Sequence, residues 1–328
     1  MRTLVTGGSG FVGGRLIRRL LHDGHQVRAL ARSGTAAERV RALGAEPVHG
    51  NLDDPEALTR AMTGSELVFH AAARTTRGGS RALFWRDNVV GTHNVLAGAR
   101  RAGVTRLVHV SSEAALLTGR PLVGVDETAP PRPDSPAAYA ASKAAAEQLV
   151  LAANGDGPET VALRPRLVWG RGDATVLPEL VAAVRDGRFA WIDGGRHLTD
   201  TTHVDNVVHG LLLAAEHGRG GEAYFVTDGT PVPFREFVTD LLATQGVAAP
   251  TRTVPAALAR PLTRLGERGW QLLRLRGAPP LDYMTLWLAS QECTIDTTKA
   301  RTELGYLPRR GRAEGLAELA RHQLGSDR

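Results

Sequence analysis

The sequence predicts an α/β fold: a doubly wound parallel sheet covered by helices on both faces, followed by a smaller C-terminal α+β domain. Two observations carry this prediction. Short β-type runs alternate with helical patterns over residues 1–165, and the alternation breaks after Pro165. Alternating strands and helices form parallel sheets, because each crossover helix returns the chain to the same end of the sheet.

The predicted strands are short and rich in apolar residues, and they lie at residues 3–5, 26–31, 46–49, 66–70, 106–110 and 159–163. Amphipathic or alanine-rich stretches predict the intervening helices at residues 11–21, 36–43, 55–62, 84–102 and 139–153. Ligands of such sheets bind beyond the carboxyl ends of the strands. We therefore expect functional residues just after each strand.

The break in the pattern divides the chain into two predicted domains. Residues 1–165 are predicted to form a nucleotide-binding domain, to which a later segment near residues 198–217 returns. Residues 166–328 are predicted to form a substrate-binding domain, with glycine-rich turns and one helix within residues 231–246.

Composition narrows the class of protein. The chain has 328 residues, of which 42% are hydrophobic and 23% charged, a globular balance that excludes wholesale disorder. The single cysteine, Cys293, excludes an internal disulfide and a cysteine-based zinc site, and we expect no metal. No apolar run reaches the roughly 18–20 residues of a membrane span, and residues 1–6 lack a signal-peptide pattern. We therefore expect a cytoplasmic protein.

The basic residues are almost all arginine, because Lys143 and Lys299 are the two lysines among 40 basic residues. The arginines interleave with acidic residues and form no basic stripe with aromatic platforms. The net charge of +6 therefore does not indicate nucleic-acid binding. A lysine that persists in so arginine-rich a chain is a candidate for a specific role.

Residues 6–13 read Thr-Gly-Gly-Ser-Gly-Phe-Val-Gly and join the first strand to the first helix. Glycines here allow a tight turn and let the backbone approach a pyrophosphate, while the helix N-terminus offers free N–H groups. The loop therefore indicates a dinucleotide site of the Rossmann type.

The second strand ends in Ala31-Arg32, where an NAD enzyme usually has a carboxylate that holds the ribose. An arginine would instead bind a 2′-phosphate. We therefore expect NADP(H) in preference to NAD(H); a solvated Arg32 is the alternative.

Tyr139 and Lys143 are spaced four residues apart and therefore lie on one face of the predicted helix. A phenol titrates at about 10 in a model peptide, and a neighbouring cation favours the phenolate. Such a pair can pass a proton to or from a substrate oxygen while hydride moves to or from a nicotinamide. Ser112, just after a strand, could donate a hydrogen bond to the same oxygen.

These features together resemble the extended short-chain dehydrogenase/reductase family over nearly the whole chain. The landmarks follow the family's order: residues 6–13, Asn51-Leu52, residues 70–73, residues 88–92, Ser111-Ser112, Tyr139 with Lys143, residues 164–170 and residues 203–205.

The resemblance implies a role for each matching residue. Tyr139 would be the catalytic acid/base, and Lys143 would lower its pKa and contact the nicotinamide ribose. Ser112 would steady the substrate oxygen, and Asn88 would support a proton relay. The cofactor contacts that the resemblance implies are Gly7, Gly10, Phe11, Val12, Gly13, Arg32, Asn51, Leu52, Ala71, Ala72, Ala73, Ser111, Tyr139, Lys143 and Pro165.

Residues 161–170 and 198–208 resemble the 3β-hydroxysteroid dehydrogenase branch, and residues 272–280 and 303–308 are similar to bacterial 2-alkyl-3-oxoalkanoate reductases. This resemblance implies NADPH-dependent reduction of a long-chain or bulky apolar β-keto acid to the alcohol. Three alternatives stay open: a steroid-type dehydrogenase in the oxidative direction, a nucleotide-sugar epimerase, and a non-catalytic NADP-sensing regulator.

The chain also departs from the family's pattern. Asn51 stands where Asp is usual, and Arg171 stands where Pro is usual. Glu113 follows Ser112 directly, and Ala114 takes the place of the second acid that nucleotide-sugar dehydratases carry. A dehydratase is therefore not expected.

Four residues are candidate substrate contacts, each with a plainer alternative. Arg74 could bind a substrate carboxylate or lie in a solvated loop. Glu113 could contact the substrate or be a solvated charge. Arg166 and Trp169 could line the pocket mouth, although packing is the favoured interpretation for both, as it is for His203.

Residues 260–276 combine five arginines and one glutamate with six large apolar residues. Such a segment could lie on an anionic membrane surface, cover an apolar substrate or dock a partner enzyme. A helix packed on the small domain is the plainer alternative, although Gly266 and Gly269 argue against a rigid helix. If the segment lies on a membrane, the protein would be cytoplasmic and peripheral to the inner face of the membrane. The family resemblance also implies a homodimer and a small-molecule substrate of apolar character.

Overall fold

The computed structural model describes residues 1–75, 79–272, 279 and 281–326. Its strands are β1 (Arg2–Thr6), β2 (Gln26–Ala31), β3 (Glu46–His49), β4 (Leu67–His70), β5 (Arg106–Val110), β6 (Leu122–Val125), β7 (Glu159–Pro165), β8 (Val168–Trp169), β9 (Trp191–Ile192), β10 (Leu198–Thr199), β11 (Thr202–His203), β12 (Ala223–Val226), β13 (Val232–Pro233), β14 (Thr253–Val254) and β15 (Cys293–Ile295).

The α-helices are α1 (Phe11–His22), α2 (Gly34–Ala42), α3 (Pro55–Met62), α4 (Arg81–Phe84), α5 (Gly91–Arg101), α6 (Ala138–Ala152), α7 (Val176–Arg185), α8 (Val204–His217), α9 (Phe234–Ala243), α10 (Ala256–Leu272), α11 (Tyr283–Ser290), α12 (Thr298–Leu304) and α13 (Arg312–Ser326). A π-helix, Trp85–Val90, joins α4 to α5, and 3-10 helices form at Glu113–Leu116 and Asp193–Gly195.

A seven-stranded parallel sheet forms the centre of the molecule, in the order β3-β2-β1-β4-β5-β7-β12. Helices cover both faces, as a doubly wound sheet requires. One face packs on α1, α2 and α8 through a cluster that includes Leu16, Ile17, Val40, Val207 and Leu211. The other packs on α3, α5 and α6 through a cluster that includes Leu58, Met62, Val95, Ala99 and Val150. The predicted fold class is confirmed.

Most predicted elements lie where the sequence pattern places them. The bounds predicted for β2, β3, β5 and α3 match residue for residue. The helix predicted over 84–102 begins earlier, at Arg81, and contains the π-helix. Just after the π-helix, the hydroxyl of Thr92 in α5 donates a hydrogen bond to the carbonyl of Asn88 in the π-helix at 2.6 Å. The helix expected within 231–246 starts at Phe234, because Val232–Pro233 pairs with β10 instead.

The second half of the chain builds a smaller mixed sheet, in the order β13-β10-β15-β6. The two halves exchange elements: β6 belongs to this smaller sheet, whereas β12 and α8 complete the main one. The domain boundary proposed at residue 165 stays a prediction.

The basic segment at 260–276 is helical as far as the structure describes it. Helix α10 continues through Gly266 and Gly269, contrary to the expectation that they interrupt a helix. Packing against α11 offsets their low helix propensity. Residues 273–276, and most of the family-like stretch 272–280, lie outside the described residues. Among the described residues, no helix is long and apolar enough to cross a bilayer.

Strand β5, in the interior of the main sheet, offers a test of the core. Leu107 is fully buried, so Leu107→Ala is expected to lower the free energy of unfolding by about 2–5 kcal/mol. Urea denaturation measures this change. Val123→Ala is the matched control, because Val123 is 66% exposed. Equal losses in both variants would contradict the packing described here.

Candidate active site

The glycine loop forms the cradle that a dinucleotide requires. Gly7 has a φ of +72°, and a Cβ there would lie 2.7 Å from the Ala72 nitrogen. A Cβ at Gly13 would lie 2.2 Å from the Gly7 carbonyl oxygen. Helix α1 starts at Phe11, and Gly10 before it supplies no capping side chain. The first N–H groups of α1 are therefore available to a phosphate.

The predicted adenosine contacts lie along the next strand ends. Arg32 follows β2 and is exposed, and within the described chain its guanidinium has no hydrogen-bond or ion-pair partner. Asn51 is exposed after β3, and its Oδ1 accepts from the Leu52 N–H at 2.8 Å. Ala71, the first residue of the segment 71–73, lies against Gly7. Sequence-distant residues are thus brought to one edge of the sheet.

Tyr139 and Lys143 lie on α6 above that edge. The Lys143 ammonium is 2% exposed and donates to the Val110 carbonyl at 2.7 Å. Burial lowers the pKa of Lys143 to about 8, although the negative charge of Glu147 opposes the shift. Lys143 can therefore lose its proton far more readily than an exposed lysine.

The Tyr139 phenol is held in its protonated form in the absence of cofactor. Burial raises its pKa, the nearby Glu113 carboxylate raises it further, and a hydrogen bond with Ser112 opposes both. A protonated phenol is the acid that carbonyl reduction needs.

Two histidines beneath Lys143 stay neutral. Burial lowers the pKa of His70 to about 3, and burial together with Lys143 lowers that of His109. His109 Nε2 lies 3.4 Å from Lys143 Nζ, and His70 bonds Thr6 and Thr92 through its two ring nitrogens. The positive charge of this cluster therefore stays on the lysine.

Ser112 is bonded to its neighbour Glu113. Its hydroxyl donates to Glu113 Oε2 at 2.7 Å and accepts from the Ala114 N–H at 3.1 Å. Glu113 Oε1 in turn accepts from Arg166 Nη1 at 2.6 Å. Glu113 and Arg166 are 4% and 3% exposed, so neither is a solvated charge. The pair lies beside the reacting groups, and sequence spacing gave no sign of it.

Asn88 connects the π-helix to the catalytic helix. Its Nδ2 donates to Ser142 Oγ at 2.9 Å, and Ser142 bonds the Tyr139 carbonyl at 2.8 Å. Its Oδ1 accepts from the Arg74 N–H at 2.6 Å. The Arg74 guanidinium forms an ion pair with Asp87 at 2.6 Å, so it is neither free nor fully solvated.

A buried ion pair that the sequence analysis missed supports Lys143. Glu147, one turn beyond Lys143, binds Arg164 through two hydrogen bonds of 2.6 and 2.9 Å. Ser111, predicted as a cofactor contact, donates to the same carboxylate at 2.6 Å. The spacing of Tyr139, Lys143 and Glu147 at four-residue intervals was the available signal.

Three further predicted residues, Trp169, His203 and Pro165, have packing contacts of their own. Trp169 is 1% exposed, and its Nε1 donates to Asp228 at 2.7 Å. It packs edge-on against His203, which is fully buried. Pro165 ends β7 opposite Val226.

A dinucleotide loop and a Tyr–Lys pair at the carboxyl edge of a doubly wound sheet define an oxidoreductase of the extended short-chain dehydrogenase/reductase class. The phenol can protonate a carbonyl oxygen, and the neighbouring ammonium can stabilise the resulting phenolate. In this class the nicotinamide cofactor supplies or accepts the hydride.

Comparison with known proteins agrees with this class. The chain matches the 3-beta hydroxysteroid dehydrogenase/isomerase family over residues 4–257. It is 50% identical over 320 residues to the 4-hydroxy-2-methyl-3-oxo-4-farnesyl-3,4-dihydroquinoline-1-oxide ketoreductase of Stigmatella aurantiaca, covering 97% of this chain and 96% of that one. It is 41% identical over 332 residues to a 2-alkyl-3-oxoalkanoate reductase of Stenotrophomonas maltophilia, covering 97% and 98%.

A solved structure of a related enzyme has the same fold. A dTDP-glucose 4,6-dehydratase from Streptomyces venezuelae with NAD bound superposes with a TM-score of 0.74 at 26% identity, covering 98% of this chain and 96% of that one. The chain therefore belongs to the 3-beta hydroxysteroid dehydrogenase/isomerase family. It is an enzyme, a ketone-reducing oxidoreductase.

The buried ammonium gives a prediction about pH. In the free enzyme Lys143 loses its charge as the pH rises through about 8, so kcat/KM for the reduced cofactor should fall there. An arginine keeps its charge, so the residual activity of Lys143→Arg should persist to higher pH. Lys299→Arg is the matched control and should keep the native profile. Identical profiles for all three proteins would contradict this role of Lys143.

Proposed function

We propose that this enzyme reduces a ketone carried on a large apolar body, with NADP(H) as the hydride source. The observation that carries the proposal is a packed apolar cluster that contains Tyr139, which we name the tyrosine cluster. Its members come from both halves of the chain: Ala114, Leu117, Leu122, Ala137, Tyr139, Ala140, Ile192, Ala256, Ala259, Leu281, Tyr283, Met284, Leu286, Trp287 and Ala289. A phenol in such surroundings suits a hydrocarbon substrate.

The charges near the phenol support an uncharged ketone. Of the two arginines predicted to meet the substrate, Arg166 is bound to Glu113 and Arg74 to Asp87. A substrate carboxylate would have to displace one of these partners. The β-keto acid of the sequence analysis is thus the second candidate. Arg74 is the better candidate to bind the carboxylate of this acid, because a quarter of its side chain is exposed.

The relatives support the same kind of substrate. The Stigmatella protein is named for a farnesyl-bearing cyclic ketone, and the Stenotrophomonas protein for 2-alkyl-3-oxoalkanoates. Both names describe a ketone that bears a hydrocarbon chain, and the second also describes a carboxylate, as in the β-keto acid candidate. Such a chain would lie against the tyrosine cluster.

The residues would then divide the reaction between them. Tyr139 donates its proton to the carbonyl oxygen as hydride reaches the carbonyl carbon. Lys143 stabilises the phenolate and holds the nicotinamide ribose. The Ser112 hydroxyl donates a hydrogen bond to Glu113 in this structure, so it would have to rotate to donate to the carbonyl oxygen.

Two further features support the proposed cofactor preference and a proposed homodimer. Arg32 stands free at the end of β2, where a 2′-phosphate would lie. Trp85 and Val90 are 41% and 42% exposed on the helical run that contains Asn88. We infer that this surface is covered in a homodimer.

Arg32→Ser tests the cofactor preference. Removing the guanidinium should raise the KM for NADPH about tenfold or more, since one charge-assisted contact is lost, and should leave the KM for NADH nearly unchanged. Arg39→Ser on α2 is the matched control, because Arg39 is also exposed. Equal effects on both cofactors would overturn the preference for NADP(H).

The substrate assay follows NADPH absorbance with three ketones: a long-chain 2-alkyl-3-keto acid, its methyl ester and a bulky 3-ketosteroid. We expect turnover of the ester to exceed that of the acid, and Tyr139→Phe to lower kcat by about 100-fold or more. Faster turnover of the acid would favour the keto-acid reductase. Steroid turnover alone would favour the steroid branch. No turnover of any of the three ketones by protein that still binds NADPH would contradict the proposed substrate class.

A further inference from the structure

Helix α10 presents an apolar stripe to solvent. Leu258, Leu262 and Leu265 are 59%, 63% and 67% exposed. They recur at intervals of four and three residues, so they lie on one face over about 10 Å of helix. Three exposed leucines in one row differ from the scattered apolar residues of an ordinary surface.

A row of arginines runs along one margin of this stripe. Arg260, Arg264 and Arg268 recur every four residues and are all exposed. In the described part of the chain, no carboxylate forms an ion pair with any of the three. The one acid of the helix, Glu267, is half-buried, and its carboxylate accepts from the Tyr283 N–H at 3.4 Å. The outer face of α10 is therefore cationic and apolar together.

The opposite face of the same helix reaches the active site. Ala256 and Ala259 are 5% and 3% exposed and belong to the tyrosine cluster. Helix α10 also packs on α11, which contributes Leu286 and Trp287 to that cluster. One helix thus packs in the tyrosine cluster on its inner face and, among the described residues, leaves its outer face exposed.

We propose that the outer face of α10 docks the enzyme on an anionic lipid bilayer. The leucines enter the boundary between headgroups and acyl chains, and the arginines bind the lipid phosphates. Charge complementarity selects this occupant over a second copy of the chain, because two such faces would place arginine rows against each other. The inference does not depend on the identity of the ketone.

Docking would bring the tyrosine cluster close to the membrane, because the helix that contacts the lipid also packs in that cluster. Partial insertion of one amphipathic helix needs no membrane-spanning segment.

Vesicle cosedimentation of the full chain tests the proposal. With vesicles of phosphatidylcholine and phosphatidylglycerol, we expect the protein in the pellet at low salt and less of it there as salt rises. With phosphatidylcholine alone, the bound fraction should be about tenfold lower. Protein that stays in the supernatant with both compositions would overturn the proposal and leave the face to a protein partner.

Paired variants separate the helix from the rest of the surface. The double variant Leu262→Ser with Leu265→Ser should lower the vesicle partition coefficient about tenfold or more. Leu307→Ser is the matched control, because Leu307 is 65% exposed outside α10. Both proteins should keep the native melting temperature. An equal loss in the control would contradict docking through α10.

The single buried cysteine permits a direct probe of insertion. Cys293 is 2% exposed, so an environment-sensitive dye will react with a thiol introduced by Leu262→Cys. Its emission should shift to the blue on addition of anionic vesicles, whereas the same dye at Leu307→Cys should not shift. A blue shift at both positions, or at neither, would exclude the proposed orientation.

Discussion

The active site depends on one buried charge, the ammonium of Lys143. Removing such a charge from water costs several kcal/mol, and the surrounding groups are arranged to offset that cost. The Val110 carbonyl accepts a hydrogen bond from the ammonium at 2.7 Å. Glu147, one helical turn away, provides the opposite charge, and Arg164 and Ser111 hold its carboxylate in place. The end of β5, the end of β7 and helix α6 must therefore be correctly placed before Lys143 can be held in this site.

The same cluster couples the cofactor loop to the catalytic helix. Thr6 ends the strand before the glycine loop, and its hydroxyl bonds His70 at 2.7 Å. His70 bonds Thr92 at 2.9 Å, and Thr92 bonds the carbonyl of Asn88. Asn88 then reaches helix α6 through Ser142. Because every link is buried and directional, the positions of the dinucleotide cradle and of the phenol are set together.

Local sequence patterns were sufficient for the parts of this site that depend on local geometry. Strand periodicity placed β2, β3 and β5 residue for residue, and four-residue spacing put Tyr139 and Lys143 on one helix face. Partners distant in sequence could not be found in this way. The ion pair of Glu113 with Arg166 joins residues 53 positions apart, and the π-helix at Asn88 depends on contacts with other segments. Both are tertiary features that no local period records.

The contacts of the buried charged residues differ between arginine and lysine. Buried carboxylates such as Glu147 and Glu113 are paired with arginines, whose fixed charge and forked donors suit a permanent ion pair. The group beside Tyr139 has a different task. Its charge is buried against the Val110 carbonyl and next to His109 Nε2, and a compact ammonium presents a point charge there instead of a planar fork. An arginine would fill position 143 with a charge that cannot adjust. In a chain where 38 of 40 basic residues are arginine, position 143 keeps a lysine whose pKa burial lowers to about 8.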